Sequence, residues 1–183
     1  VTSKAEQKAR RMIRLFSDKS EVVLVTGCYA EGSREEIENL GDNIVVFSLS
    51  EKASILSLPQ HIGNMVLSGM NAYNAVKSFK KSERSVFSFD AHSFAYHSRA
   101  YLKIQDGCDN SCGYCRTTIA RGKSVFLEPE IVVERVKRLE EEGFHEVMLT
   151  GVNLTNYDHD GEGLGGVMEK ILSANGPDMR LRL

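Results

Sequence analysis

The sequence predicts an α/β protein in two parallel-sheet halves joined by a linker. Two short β-branched runs, VVLVT at 22–26 and NIVVF at 43–47, alternate with helical segments. A second series, strand–helix–strand–helix–strand, runs from 101 to 183. Alternation of this kind is the pattern of a parallel sheet covered by helices. The chain has 183 residues, and a hydrophobic fraction of 42% is enough for a real core. Its 23 Lys+Arg stand against 25 Asp+Glu, a net charge of -2. That balance excludes a generally basic nucleic-acid coat and an acidic tail, so any RNA partner must be held by local patches. No apolar run approaches the ~20 residues a membrane helix needs. The first residues are charged and carry no apolar signal core, so no membrane association and a cytoplasmic location are expected.

The first element is a helix. Ser3 offers a cap with Glu6 as its capping-box partner. Ala5, Ala9, Met12, Ile13 and Phe16 recur at helical spacing, with Lys4, Lys8, Arg11 and Arg14 on the opposite face. That basic face reads as a solvated surface or as an RNA-facing patch. The run at 22–26 reads as a strand buried on both faces, and Gly27-Cys28-Tyr29 as a turn. Ser33 and Glu36 suggest a second capping box opening a helix through Leu40. The run at 43–47 is a second buried strand, and a short helix over 50–58 is expected to end at Pro59.

Residues 69–99 mix Ser, Asn, Lys, Phe and Tyr without clear period, and read as an interdomain linker. Lys77, Lys80, Lys81 and Arg84 lie there beside Phe79, Phe87 and Phe89, a mixture that also suits RNA contact. Order resumes with a strand at 101–105. Pro129 sits in the first turn of a helix that Gly143 terminates. A strand at 147–150, a helix over 164–174 and a strand beginning near Met179 complete the series.

Four cysteines are present, Cys28, Cys108, Cys112 and Cys115, and the last three fall in the segment CDNSCGYC. This tight cluster reads as metal or cluster ligation in a reducing compartment. Three thiolates can wrap one face of a 4Fe-4S cluster and leave its fourth iron open. An open iron can chelate S-adenosylmethionine, whose C–S bond an electron from the cluster then cleaves to a 5′-deoxyadenosyl radical. The alternative is structural zinc, which wants four closed ligands. The nearest histidines, His92, His97 and His145, lack finger-like spacing. A buried free-cysteine segment fits poorly, because residues 106–110 read as too polar for a core.

The stretch YLKIQDGCDNSCGYCRTTIARGKS resembles the radical S-adenosylmethionine methylthiotransferase family. VTGCYAEGSREEI resembles that family's first domain, and LTGVNLTNY is a third match in family order. The resemblance implies a partial N-terminal methylthiotransferase domain at 1–68, a linker at 69–99, and the first part of a radical S-adenosylmethionine (β/α) partial barrel at 100–183.

It also implies two 4Fe-4S clusters in the full-length protein, with S-adenosylmethionine as cosubstrate. Cys108, Cys112 and Cys115 would hold the radical cluster, and Cys28 would be the third ligand of the auxiliary one. Taken by itself, Cys28 reads equally as a free thiol at a strand end. Tyr114, Gly151 and Asn153 match positions expected near the bound cofactor. Arg121 is a candidate anion or substrate contact, or else a surface salt bridge. The family often has Pro where this chain has Thr118. Two further auxiliary-cluster cysteines are expected before Val1, and later barrel strands and an RNA-binding β-domain after Leu183, so the chain reads as a fragment.

VTGCYA and the helix before it look most like the branch acting on N6-threonylcarbamoyladenosine at tRNA position 37. The isopentenyladenosine branch and the ribosomal-protein aspartate branch come next. A non-catalytic cluster- or zinc-binding module that docks RNA is the alternative class. The implied reaction methylates a sulfur on the auxiliary cluster, abstracts hydrogen from adenine C2 and joins the two. The implied partners are a tRNA anticodon stem-loop and an electron donor such as flavodoxin or ferredoxin.

Overall fold

A computed structural model describes residues 2–88 and 98–183. Phe89, His92 and His97, named above, lie outside the described residues. The chain divides into two compact units, residues 1–89 and 90–183.

The first unit runs α1 (Ser3–Ser17), β1 (Val23–Val25), α2 (Cys28–Gly32), α3 (Arg34–Glu38), β2 (Ile44–Val46), α4 (Leu58–Leu67) and α5 (Ala72–Ser78). A 3-10 turn, Lys52–Ser57, precedes α4. β1 and β2 pair in parallel, with Val23 opposite Ile44 and Val25 opposite Val46. Because strand side chains alternate, β2 feeds two cores. Ile44 and Val46 pack with Ile13, Val23, Ala30 and Ile37, under α1 to α3. Val45 and Phe47 pack with Leu58 and Val76, under α4 and α5. β2 is therefore buried throughout, as its sequence predicts.

β1 departs from expectation. Leu24 is 37% exposed, so β1 is well covered only on the face that carries Val23 and Val25 into the first core. Two caps also differ. Thr2, not Ser3, caps α1, accepting the Ala5 N–H at 3.3 Å. Ser33 makes no side-chain cap bond, and Glu36 instead receives Arg10 at 2.8 Å. Cys28 opens the short helix α2 rather than sitting mid-turn. Pro59 starts α4 instead of ending a helix, since its missing N–H is no loss in a first turn.

The linker expected over 69–99 is shorter at its start. Asn71 caps α5 through the Asn74 N–H, 2.8 Å away. Ala75 and Val76 are buried, and Tyr73 and Phe79 pack on the second core. Apolar side chains at i, i+3, i+4 and i+7 of this stretch make a helical stripe that completes the α4 face. Lys81 donates to the Val46 carbonyl at 2.6 Å and lies over the Phe47 ring at 4.5 Å. Phe87 is buried. Phe79 and Phe87 thus pack inward, while Lys77, Lys80 and Arg84 of the same segment are exposed.

The second unit runs β3 (Ala100–Lys103), β4 (Gln105–Asp106), α6 (Thr117–Arg121), β5 (Val125–Phe126), α7 (Pro129–Glu141), β6 (Glu146–Thr150), β7 (Asp158–His159), β8 (Glu162–Gly163), α8 (Leu164–Ala174) and β9 (Arg180–Arg182). The main sheet is parallel, ordered β3-β6-β9. Alternation buries Leu102, Val147 and Leu149 with Val132 and Val136 of α7 and Val167 and Ile171 of α8. Gly143, at φ 94, supplies the left-handed residue that ends α7.

Two antiparallel hairpin pairings are additions. β7 and β8 turn through Asp160 and Gly161, both at positive φ, the Asp-Gly signature of a tight hairpin. β4 and β5 pair Gln105 with Phe126 and Asp106 with Val125. Among the described residues no helix is long and apolar enough to cross a membrane.

Candidate active site

The last β3–β6 pair is Lys103 with Thr150. Everything that follows either residue therefore emerges side by side at the C-terminal edge of the sheet, where parallel α/β folds place their sites. From β3 this is the cysteine segment, and from β6 it is Gly151, Val152 and Asn153.

The cysteine segment is a loop with a closed neck. The β4–β5 pairing fastens its two ends, and the Leu127 N–H reaches the Ile104 carbonyl at 2.8 Å. Gly107 sits at φ 71, and any Cβ there would collide with the Lys123 carbonyl. The Cys108 N–H donates to the Gly122 carbonyl at 3.2 Å. The Thr118 hydroxyl spans the loop, donating to the Cys108 carbonyl at 3.2 Å. A side-chain hydroxyl thus braces the position where the family often carries Pro.

Two residues that sequence reasoning passed over hold this neck. Gln105 is 0% exposed. Its amide N–H group donates to the Asp106 carbonyl at 3.0 Å and the Gly107 carbonyl at 2.8 Å, while its oxygen accepts the Asn153 N–H at 2.8 Å. One buried amide thereby ties the cysteine loop to the loop after β6. A Cβ on Gly151 would meet Gln105 Oε1 and Leu154 at 2.8 Å, so glycine is what lets the two loops approach.

Asp106 is buried as well. Its carboxylate accepts the Gly107 N–H at 2.9 Å, Arg121 at 2.8 Å and Lys103 at 2.8 Å. Burial opposes its ionisation, but the hydrogen bonds from Lys103, Arg121 and the Gly107 N–H outweigh that and hold the carboxyl below its ordinary range. The reading of 106–110 as too polar for a core is corrected at its first three positions. Asp106 to Cys108 are buried because every polar group of Asp106 is answered locally.

Cys108 is buried, Cys115 partly buried and Cys112 exposed, and all four cysteines are free thiols. The Thr117 hydroxyl and then its N–H, both hydrogen-bonded to the sulfur, hold the Cys115 thiol below its ordinary value. Among the described residues no three His, Cys, Asp or Glu side chains stand together as an ion site, so the loop's thiols do not share a centre in this conformation. Tyr114 is 93% exposed at the loop tip. Asn153 presents its side-chain oxygen to the Thr155 hydroxyl at 2.8 Å. Arg121 rests on Asp106, the salt-bridge role weighed for it. Cys28 lies in the first unit, at the C-terminal end of β1.

Beneath the neck, Tyr157 is buried and its hydroxyl donates to the Leu127 carbonyl. Its ring meets Phe126 edge-on at 5.4 Å. A Tyr inside the polar stretch TNYDHD gave no periodic signal, and its role depends on a partner 30 residues away.

Residues 102–183 match the family profile of the radical SAM superfamily, which makes the second unit a radical S-adenosylmethionine domain. The whole chain is 32% identical to threonylcarbamoyladenosine tRNA methylthiotransferase MtaB of Treponema pallidum, over 94% of this chain and 47% of that protein. It is 34% identical to the Thermotoga maritima protein of the same name, over 100% of this chain and 41% of that protein. It is 29% identical to tRNA-2-methylthio-N(6)-dimethylallyladenosine synthase of Parabacteroides distasonis, over 100% of this chain and 40% of that protein. The chain is thus similar over nearly its whole length to radical S-adenosylmethionine methylthiotransferases, and residues 102–183 share the superfamily's profile. It spans under half the length of these relatives.

Proposed function

We propose that this chain works within a methylthiotransferase that adds a methylthio group to C2 of N6-threonylcarbamoyladenosine at position 37 of tRNA. The observation that carries the reading is the pair of loops at the β3 and β6 strand ends. One brings three thiols on a fastened neck, and the other is fixed against it through Gln105. The donor set fits a 4Fe-4S cluster. Three sulfurs lie on one short loop whose outer part is open to solvent, and zinc would require a fourth ligand.

Cys108, Cys112 and Cys115 hold the cluster in this reading. Gly151 lies beside S-adenosylmethionine through its backbone in this reading, Asn153 offers polar groups to it, and exposed Tyr114 covers its adenine. Together the cluster and S-adenosylmethionine supply one-electron C–S cleavage and hydrogen abstraction from an unactivated carbon. The chain's own residues do the positioning. Gln105 and Asp106 keep the loop closed, and Arg121, seated on Asp106 at the loop's base, is the candidate contact to an anion or the substrate. Cys28 contributes one ligand to a second cluster in the first unit. The substrate is the anticodon stem-loop, the electron donor a flavodoxin or ferredoxin, and the location the cytoplasm where tRNA is modified.

Similarity to a dimethylallyladenosine synthase keeps isopentenyladenosine tRNA as a second substrate reading. The test uses full-length protein reconstituted without oxygen, with S-adenosylmethionine, reductant and tRNA carrying either nucleoside. Mass spectrometry of digested tRNA is expected to find the methylthio group on threonylcarbamoyladenosine. Formation of 5′-deoxyadenosine with no methylthio product on either tRNA overturns the reading.

A further inference from the structure

We propose that the outer face of α1 is a docking surface for the phosphate backbone of the RNA substrate. The inference deepens the function proposed above and rests on it. The chain as a whole is slightly acidic, with a net charge of -2. α1 runs against that balance, with five cations and the single carboxylate of Glu6 in its 15 residues.

The cations are not equivalent. Arg10 is consumed inside the unit, donating to Glu36 at 2.8 Å and to the Tyr29 hydroxyl at 3.2 Å. Lys4, Lys8, Arg11 and Arg14 are exposed and have no partner among the described residues. At 100° per residue they fall within about 120° of arc, and Lys4 to Arg14 spans roughly 15 Å of axis. With Gln7 and Arg10 they line a shallow groove of about 600 Å³. Buried Ile13, the residue that anchors α1 to its core, lies on the far side of the helix. The packing thus aims the four free charges outward.

A regular row of unpaired cations, free of carboxylates, suits a polyanion with evenly spaced charges. Lysine and arginine both bind phosphate oxygens, and each contact releases condensed counterions. An anionic membrane is the competing polyanion, because Met12, Leu15 and Phe16 are also exposed. RNA is favoured because Ile13 in the core and Arg10 bonded to Glu36 and Tyr29 fix α1 on the unit with its four charges facing outward. The tRNA enzymes to which the chain is similar point the same way.

The test substitutes Lys4→Gln, Lys8→Gln, Arg11→Gln and Arg14→Gln together in the reconstituted full-length protein. Binding to a tRNA anticodon stem-loop is measured across a salt series. The proposal expects weakening on the order of tenfold to a hundredfold near physiological salt, and a fall of about 3 in the slope of log K against log salt. S-adenosylmethionine cleavage without RNA should stay at the wild-type rate, which separates lost docking from lost folding. Arg11→Glu alone serves as a milder second variant and should weaken binding in the same direction. An unchanged slope overturns the proposal. So does loss of binding to phosphatidylserine vesicles with RNA affinity retained. If wild-type protein binds tRNA in a salt-dependent way but forms no methylthio product, the functional reading fails while the salt slope still tests this face.

Discussion

Cys28 and Cys108 each follow a parallel strand at its C-terminal end, yet their surroundings differ. After β1 the chain passes Gly27, at φ 115, and enters α2 at once. What steadies that turn is one helical bond from the Glu31 N–H to the Gly27 carbonyl, and Glu31 accepting the Leu49 N–H at 2.9 Å. After β3 the chain enters a small hairpin, a buried amide and a buried carboxylate before Cys108 appears. The comparison separates a strand end with a built loop from one that passes directly into a helix. The second unit carries its sulfur set on a loop stiffened by its own residues. The first unit carries its one cysteine, Cys28, on a helix start that no such hairpin or buried amide braces among the described residues.

The largest expected effect breaks the symmetry of the two strand ends directly. Reconstituted without oxygen, this chain should bind iron and sulfide through its second unit. Cys108→Ala should reduce both to background, whereas Cys28→Ala should leave them at the wild-type level. Equal losses from the two substitutions, read by iron and sulfide analysis, would falsify the assignment of the cluster to the second unit alone.

A smaller effect comes from the tie between the loops. Gln105→Leu keeps the volume but removes the partner of the Asn153 N–H and of the Asp106 and Gly107 carbonyls. Each orphaned group costs about 1–3 kcal/mol, so the second unit should lose at least about 3 kcal/mol in chemical denaturation. Hydrogen exchange at Asn153 should quicken, while exchange in α2 should not change. Gly151→Ala strikes the same tie from the other side, with overpacking of about 1–3 kcal/mol. If either variant left Asn153 protected, the bridge would not be what fastens the loops.

These two residues also mark the limit of what the sequence made legible. The strand–helix order of the second unit, the Pro129 start and Gly143 end of α7, and the three-cysteine loop all follow from local pattern. Such features are written within a few residues of one another. The burial of Gln105 and Asp106 is not, because it depends on Asn153 and Arg121, 48 and 15 positions away. Two polar residues before a cysteine look like loop until those partners are known. α5 was missed for a different reason: a seven-residue helix carries too few turns for its stripe to stand out among Asn, Lys and Ser. Glu36 misled because Arg10, on another helix, outcompetes the local cap it could have formed. The roles of Tyr114, Gly151 and Asn153 beside a cofactor, and of Arg121 at an anion or substrate, come from resemblance and not from local pattern.

The smallest effect concerns Tyr157, whose hydroxyl supports the neck through its bond to the Leu127 carbonyl, just past β5. Tyr157→Phe removes that bond and should cost about 1–2 kcal/mol, with the ring still packed edge-on against Phe126. The effect should depend on pH in a defined direction. Burial, followed by the nearby Glu162 and Glu130 carboxylates, pushes the Tyr157 phenol up to about 12 from the usual 10.0. The folded state therefore holds the phenolic proton more tightly than the unfolded chain does. The resulting contribution is fully present below pH 10.0 and is lost as pH rises through about 12. Wild-type stability should fall across that window by up to ~2 kcal/mol more than that of Tyr157→Phe. Urea titrations of both proteins from neutral pH into that range measure the difference. Parallel pH profiles would mean that the phenol ionises freely while the unit is folded, and that the neck does not rest on it.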